Sequence, residues 1–222
     1  MKLLKLELLN LASLDRPEGE VIDFENGPLK DCTIFSIVGP TGSGKSTILD
    51  AICLALYGRA PRYRKQKGDK KQHIVIYGES DELENNRLAP SDPRNILTFG
   101  KKYGYSKLTF LANNGTLYRA EWHVEFKVKK HATPITALYA VDPATGIETM
   151  AQWSALPQII GLEYDQFLRT VLIAQGAFAN FLNSSDDERC MMMSVPRSAF
   201  STSSMVKTGL PSQLHFTAGA SS

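Results

Sequence analysis

An α/β fold with a mixed sheet is the class this sequence predicts, and three observations predict it. A short apolar run rich in β-branched residues, Cys32 to Val38, leads directly into the glycine-rich stretch Gly39-Pro40-Thr41-Gly42-Ser43-Gly44-Lys45-Ser46. The stretch Lys45 to Tyr57 that follows is apolar on nearly every face and stops at Gly58, which reads as a core helix with a glycine end. Further along, alternating segments flank an Asn-Gly turn and an Asp-Pro-Ala-Thr-Gly turn, which reads as β-hairpins added to the sheet.

Taken in order, Met1 to Asn10 is a first strand. Lys5 and Glu7 interrupt its apolar residues with a period of two, which suits a half-buried strand and does not suit the uninterrupted core of a secretion signal. Glu20 to Glu25 alternates and is a second strand. Cys32 to Val38, short, largely apolar and rich in β-branched residues, reads as a buried parallel strand. The segment 78–92 is acidic and then rich in Asn and Pro, without periodicity, and reads as a loop. Tyr105 to Ala112 and Thr116 to Val128 form a hairpin across Asn113-Asn114-Gly115. Ile135 to Val141 enters a second hairpin at Asp142 to Gly146. Thr149 to Ile160 is expected to be a helix despite Pro157, and Leu162 to Leu172 another, with Tyr164, Phe167, Leu168, Val171 and Leu172 at helical spacing.

The glycine-rich stretch fits G-x-x-x-x-G-K-[ST], the phosphate-binding P-loop. Its spacing has a physical cause. Glycines let backbone N–H groups turn inward around phosphate oxygens where a Cβ would block the approach, and the helix behind aims its positive end at the same anion. Gly39, Pro40, Thr41, Gly42, Ser43, Gly44, Lys45, Ser46 and Thr47 are therefore the candidate nucleotide-binding residues. Lys45 is placed to reach the β- and γ-phosphates, and the Ser46 hydroxyl to ligate Mg²⁺. The strand before and the helix after supply the context that makes this a P-loop NTPase pattern.

Composition sets limits. The 222 residues carry 25 Lys+Arg against 23 Asp+Glu, a net charge of +2, so any nucleic-acid surface must be local. One such segment exists: 59–71 holds Arg59, Arg62, Arg64, Lys65, Lys67, Lys70 and Lys71, opposed only by Asp69. It reads either as a solvated loop or as a surface that contacts DNA phosphates, with Lys101 and Lys102 as further candidates. Cys32, Cys53 and Cys190 are far apart, without the C-x-x-C spacing of a metal or redox site, and suit small buried residues. With no apolar run approaching the ~20 residues of a membrane span, the expected location is the cytoplasm.

Three blocks carry a resemblance: Met1 to Leu14, Gly39 to Tyr57, and Gly161 to Leu182, the last containing Ala174-Gln175-Gly176. In that order they resemble the N-terminal lobe of SbcC-type exonuclease subunits, the coiled-coil ATPases related to SMC proteins within the ABC-type ATPase fold. The resemblance covers residues 1–189. It implies an ABC/SMC-type head lobe that binds ATP and Mg²⁺, and it implies a catalytic and metal-coordinating role for Gln175, whose amide oxygen would help hold Mg²⁺ and the attacking water. Its implied partners are a C-terminal lobe of the same protein type, a second ATPase head in a homodimer, an SbcD-type nuclease and double-stranded DNA. No membrane is among them.

The departures matter as well. Where the family often carries Asn or Arg before Ser in a nucleotide-facing loop, this chain has Ala12-Ser13, so a side-chain contact from position 12 is not implied. Asp92-Pro93-Arg94-Asn95 is a diverged counterpart of an Arg-bearing segment, while Tyr118 to Trp122 matches better. After Arg189 the family continues into a coiled coil and later a Walker B pair and a signature motif. None of these motifs is found here. Residues 191–222 contain eight serines, two basic residues and no acidic ones, which predicts a disordered tail of a truncated or frame-shifted chain and no ATP turnover by this chain alone. Two other readings stay open: a stand-alone P-loop enzyme such as a small kinase, with 59–71 as its lid, and a remnant that binds nothing.

Overall fold

The computed structural model of the chain describes residues 1–26, 29–30, 35–63, 74–75, 87–127, 130–131, 133–170, 207–209 and 215–218. Strand β1 (Lys2–Leu9) keeps the predicted alternation, with Leu6 and Leu8 fully buried, Glu7 half-buried between them and Lys5 exposed. β2 (Glu20–Asp23) pairs antiparallel with it, Leu6 opposite Ile22, so that two buried side chains share one face. β3 (Phe35–Val38) delivers the chain to the P-loop, and helix α1 (Lys45–Tyr57) leaves it. A small ladder joins β4 (Ile74–Val75) to β5 (Arg87–Leu88), the latter inside a segment the sequence predicts to be loop.

The two long strands β6 (Tyr103–Leu111) and β7 (Leu117–Lys127) form the first predicted hairpin. Its turn is local chemistry: Gly115 takes a φ of 78°, and the Asn114 side chain accepts the Thr116 N–H at 3.0 Å. β8 (Lys130–His131) pairs antiparallel with the end of β7, and β9 (Ile135–Val141) pairs antiparallel with Leu117 to His123 of β7. β10 (Glu148–Ala151) returns antiparallel to β9. The Asp142 side chain caps that turn, accepting from the Ala144 N–H at 2.9 Å and the Thr145 hydroxyl at 2.6 Å. Helices α2 (Leu156–Ile160) and α3 (Tyr164–Thr170) follow. Strands β11 (Lys207–Gly209) and β12 (His215–Ala218) complete the described elements.

The seven-stranded sheet runs β10-β9-β7-β6-β1-β2, with β8 beside β7, and α1 packs on its inner face. Leu6, Leu8, Leu108, Phe110, Ala120, Trp122 and Leu138 line that face and meet Ile48, Ile52 and Leu56 of the helix in one core. Two hydrogen bonds fix the helix there: Ser106 Oγ donates to the Ala51 carbonyl at 2.7 Å, and Trp153 Nε1 to the Ala55 carbonyl at 3.3 Å. At the far end Gly58 caps α1 with φ 63°, as its sequence position predicts.

Three expectations are corrected. The predicted helix over 149–160 is strand β10 at its start, because the Asp142 turn brings Thr149 to Ala151 beside the open edge of β9. The α-helix begins only at Leu156, with Pro157 in the first turn, where its missing N–H costs nothing. The strand entering the P-loop is neither fully buried nor parallel. Phe35 and Ile37 are half-buried while Ser36 and Val38 are exposed, and its partner β12 is antiparallel. Every strand pairing among the described residues is antiparallel. The tail, which the sequence predicts to lack ordered elements, contributes β11 and β12. Pairing with β12 satisfies backbone groups along one edge of β3.

Candidate functional site: the P-loop and its supports

The P-loop turns on two glycines in left-handed conformations, Gly42 at φ 85° and Gly44 at φ 89°. They are not equivalent. A Cβ on Gly42 would meet nothing within 4 Å, whereas one on Gly44 would lie 2.6 Å from Leu14 Cδ2. Gly44 is also the N-cap of α1, without a side-chain cap and with no acidic residue in the first turn. The leading N–H groups of a 13-residue helix therefore have no carboxylate of that turn competing for them. Ser43, only 7% exposed, has a buried hydroxyl oxygen without a hydrogen-bond partner among the described residues.

Lys45 folds over the loop. Its ammonium donates to the Gly39 carbonyl at 2.8 Å and the Pro40 carbonyl at 2.6 Å, which uses two of its three donors. Ser46 is exposed beside it. A cationic ammonium, an open hydroxyl, an orphaned buried hydroxyl and uncapped helical N–H groups together fit a polyphosphate. The predicted residues Gly39 to Thr47 are thus brought together on one loop and one helical turn. Gln175 lies outside the described residues.

The wall behind the loop comes from residues outside the glycine-rich motif. Leu14 packs on Gly44, and the segment before it is unusual: Asn10 and Ala12 take φ of 52° and 49°, a region that costs residues with a Cβ of order 1–3 kcal/mol each. Backbone and side chain hold it there. The Ala12 N–H donates to the Ile96 carbonyl at 2.7 Å, the Thr98 N–H to the Asn10 carbonyl at 3.0 Å, and the Thr98 hydroxyl to the Ala12 carbonyl at 2.9 Å. The last of these spans 86 residues of sequence, so no local signal announces it.

Arg62 is a second such residue. Among the expected DNA contacts, it is instead committed inward: its guanidinium pairs with the buried Asp50 and donates to Thr47 Oγ1 at 3.0 Å, and its backbone N–H donates to Asp50 Oδ1 at 3.3 Å. The cause is electrostatic, since a carboxylate inside an apolar helix needs a cation. Burial nonetheless pushes the Asp50 carboxyl above its ordinary pKa, against the lowering pull of Arg62. The one legible signal is Asp50 itself, an acid in an otherwise apolar helix. Arg59 is exposed and sits 5.5 Å over the Tyr164 ring; Lys102 is exposed and Lys101 half-buried. Arg64, Lys65, Lys67, Lys70 and Lys71 lie outside the described residues, as do Cys32 and Cys190. Cys53 is buried in α1, where burial first and the nearby Asp50 second push its thiol pKa upward, consistent with an inert core cysteine.

A glycine-rich loop between strand and helix, with lysine and serine at its end and an uncapped helix behind, defines a P-loop nucleotide-binding lobe. The family model described as the AAA domain matches residues 5–201, and the chain belongs to that family. The match runs past the boundary at Arg189 that the resemblance suggests. The chain is 35% identical over 96% of its length to the SbcC subunit of the SbcCD nuclease of Pseudomonas aeruginosa, and 34% identical over 87% to the protein of the same name from Rhodobacter capsulatus. It is 30% identical over 88% of its length to the probable DNA double-strand break repair Rad50 ATPase of Aquifex aeolicus. It spans only 17%, 15% and 16% of those three proteins, respectively. The SbcC-type resemblance read from the sequence is therefore upheld, for a lobe that is a small part of such a protein. No helix among the described residues is long and apolar enough to cross a membrane.

Proposed function

We propose that this chain is the ATP-binding lobe of an SbcC-like DNA-repair ATPase, which together with a C-terminal lobe hydrolyses ATP to gate an SbcD-type nuclease on double-stranded DNA ends. The reading has the chain act in the cytoplasm, in a homodimer of ATPase heads. One observation carries it above the others: the buried Ser43 hydroxyl, without a partner among the described residues, inside a loop whose helix has no side-chain cap. A buried polar group without a partner is costly unless something else satisfies it, and a phosphate oxygen does so.

In this reading the backbone N–H groups from Gly42 to Thr47 bind phosphate oxygens, and Lys45 exchanges its two loop carbonyls for the β- and γ-phosphates. Ser46 is the protein ligand for Mg²⁺, with Gln175 proposed as the second. When bound, Mg²⁺ neutralises charge on the β- and γ-phosphate oxygens. The chain's own contribution is positioning: the αL glycines and Leu14 fix the loop's curvature, so that its donors are aimed before nucleotide arrives.

The test is calorimetric titration of the purified chain with ADP and ATP, with and without Mg²⁺. Lys45→Ala should abolish binding while the fold, read by circular dichroism, is retained. Equal binding by Lys45→Ala and the parent overturns the assignment.

A further inference from the structure

We propose that Arg62 is a positioning residue for the phosphate site, acting through the hydroxyl of Thr47. The proposal rests on the nucleotide-binding reading above. Its starting point is that Arg62 makes more contacts than neutralising Asp50 requires. The backbone N–H and the guanidinium of Arg62 both meet the Asp50 carboxylate, which already fixes the chain leaving α1 against the helix. One Nη of the guanidinium reaches one turn further toward the P-loop and donates to Thr47 Oγ1 at 3.0 Å.

Thr47 is the last residue of the P-loop run and lies in the first turn of α1, 2% exposed. A hydroxyl has one proton to donate and two lone pairs. With Arg62 donating into a lone pair, the Thr47 proton is left to point elsewhere, and the hydrogen bond from a cation polarises the O–H and makes it a better donor. The phosphate side of the helix terminus is the anionic destination that such a donor would gain most from. The Asp50 carboxylate neutralises Arg62, so what the arrangement brings to the first helical turn is a fixed hydrogen-bond donor and not a net charge. Asp50 holds that donor in place from the next turn of the helix, on the side away from the loop.

A purely structural role would look different. The Thr47 hydroxyl could donate back to a carbonyl of the preceding turn, and Arg62 could serve only to neutralise Asp50. The two accounts differ in what nucleotide affinity does, and affinity is measurable without turnover. The full chain is titrated with ADP and Mg²⁺ by calorimetry, with thermal unfolding recorded for each variant. Thr47→Val removes the hydroxyl and keeps the shape. Asp50→Asn with Arg62→Gln removes both charges together, so that no buried carboxylate is stranded.

The proposal expects Thr47→Val to weaken ADP about tenfold, the Asp50→Asn/Arg62→Gln pair to weaken it by a similar factor, and all three substitutions together to do no more than either set. Thr47→Ser, which restores the hydroxyl, should recover parental affinity. Unchanged affinity in Thr47→Val, or two losses that multiply when combined, overturns the proposal and returns Arg62 to a structural role. A parent chain that binds no ADP overturns the nucleotide-site reading and this inference with it. A parent that binds, and loses binding with Lys45→Ala but not with Thr47→Val, overturns this inference alone.

Discussion

Substituting Gly44 by alanine should damage this lobe more than the same change two residues earlier, and the structure says by how much. Both glycines lie at φ beyond the left-handed window of about +50 to +70°, at 85° for Gly42 and 89° for Gly44. That conformation alone costs alanine roughly 1–2 kcal/mol. At Gly42 nothing else is added, since no atom lies within 4 Å of the new methyl. At Gly44 the methyl would sit 2.6 Å and 2.9 Å from Leu14 Cδ2 and Cγ, well inside contact distance. Leu14 is buried and cannot swing into solvent, so the overlap costs a further ~1–3 kcal/mol. The totals are roughly 1–2 kcal/mol for Gly42→Ala and roughly 2–5 kcal/mol for Gly44→Ala. For a chain of this size that means a melting temperature lower by roughly 2–8 °C and roughly 4–20 °C respectively. Thermal unfolding followed by circular dichroism reads both. The steric share is isolated by adding Leu14→Ala to Gly44→Ala: the double variant should be more stable than the sum of the two single losses predicts, by at least about 1 kcal/mol. Equal destabilisation at the two glycines, or strict additivity with Leu14→Ala, would refute the packing argument.

Other outcomes follow from the same geometry. Ser106→Ala removes the buried hydrogen bond to the Ala51 carbonyl and should lower unfolding stability by about 1 kcal/mol in a urea titration with unchanged slope; an unmoved midpoint would show that the bond does not help dock α1. Asp50 has a folded-state pKa raised above its ordinary 3.8, chiefly by burial, so the folded state holds this proton more tightly than the unfolded chain. Its contribution is therefore most favourable below that ordinary value and is lost as pH rises through the raised one. Asp50→Asn should remove that decline, seen as a parent-minus-variant stability difference that falls with pH, and a difference that rises with pH would contradict the assignment. If the basic segment contacts DNA as proposed, Arg64→Glu/Lys65→Glu/Lys67→Glu should weaken a non-specific interaction with Kd of ~10⁻⁴–10⁻⁶ M at every sequence tested. Arg62 is spared in that variant because it is tied to Asp50. Salt-insensitive binding, or a triple variant that binds like the parent, would return the segment to a solvated loop.

Short-range chemistry is legible in this chain without any structure. The P-loop, the helix from Lys45 to Tyr57 with its Gly58 stop, the Asn-Gly hairpin and the Asp142 turn each depend on residues within a few positions of one another, and each stands where the residues place it. The first strand belongs with them, because burial of Leu6 and Leu8 follows from a period of two. Pairing between distant segments is a different matter, and there the folded molecule decides. Thr149 to Ala151 form a strand because the edge of β9 lies beside them, an effect larger than local propensity for so short a stretch. β3 alternates, with Phe35 and Ile37 partly covered and Ser36 and Val38 exposed, but its pairing with a strand far along the chain is encoded nowhere within Phe35 to Val38. Arg62 reads as one more cation in a basic run until the fold shows that a buried carboxylate has claimed it. The same holds for Leu14, whose contact with Gly44 makes a glycine already required by the loop's curvature necessary a second time. Local chemistry sets where a chain turns and stops; charges and sheet edges are satisfied by whichever partner the fold brings within reach, and that choice is written in no single stretch of residues.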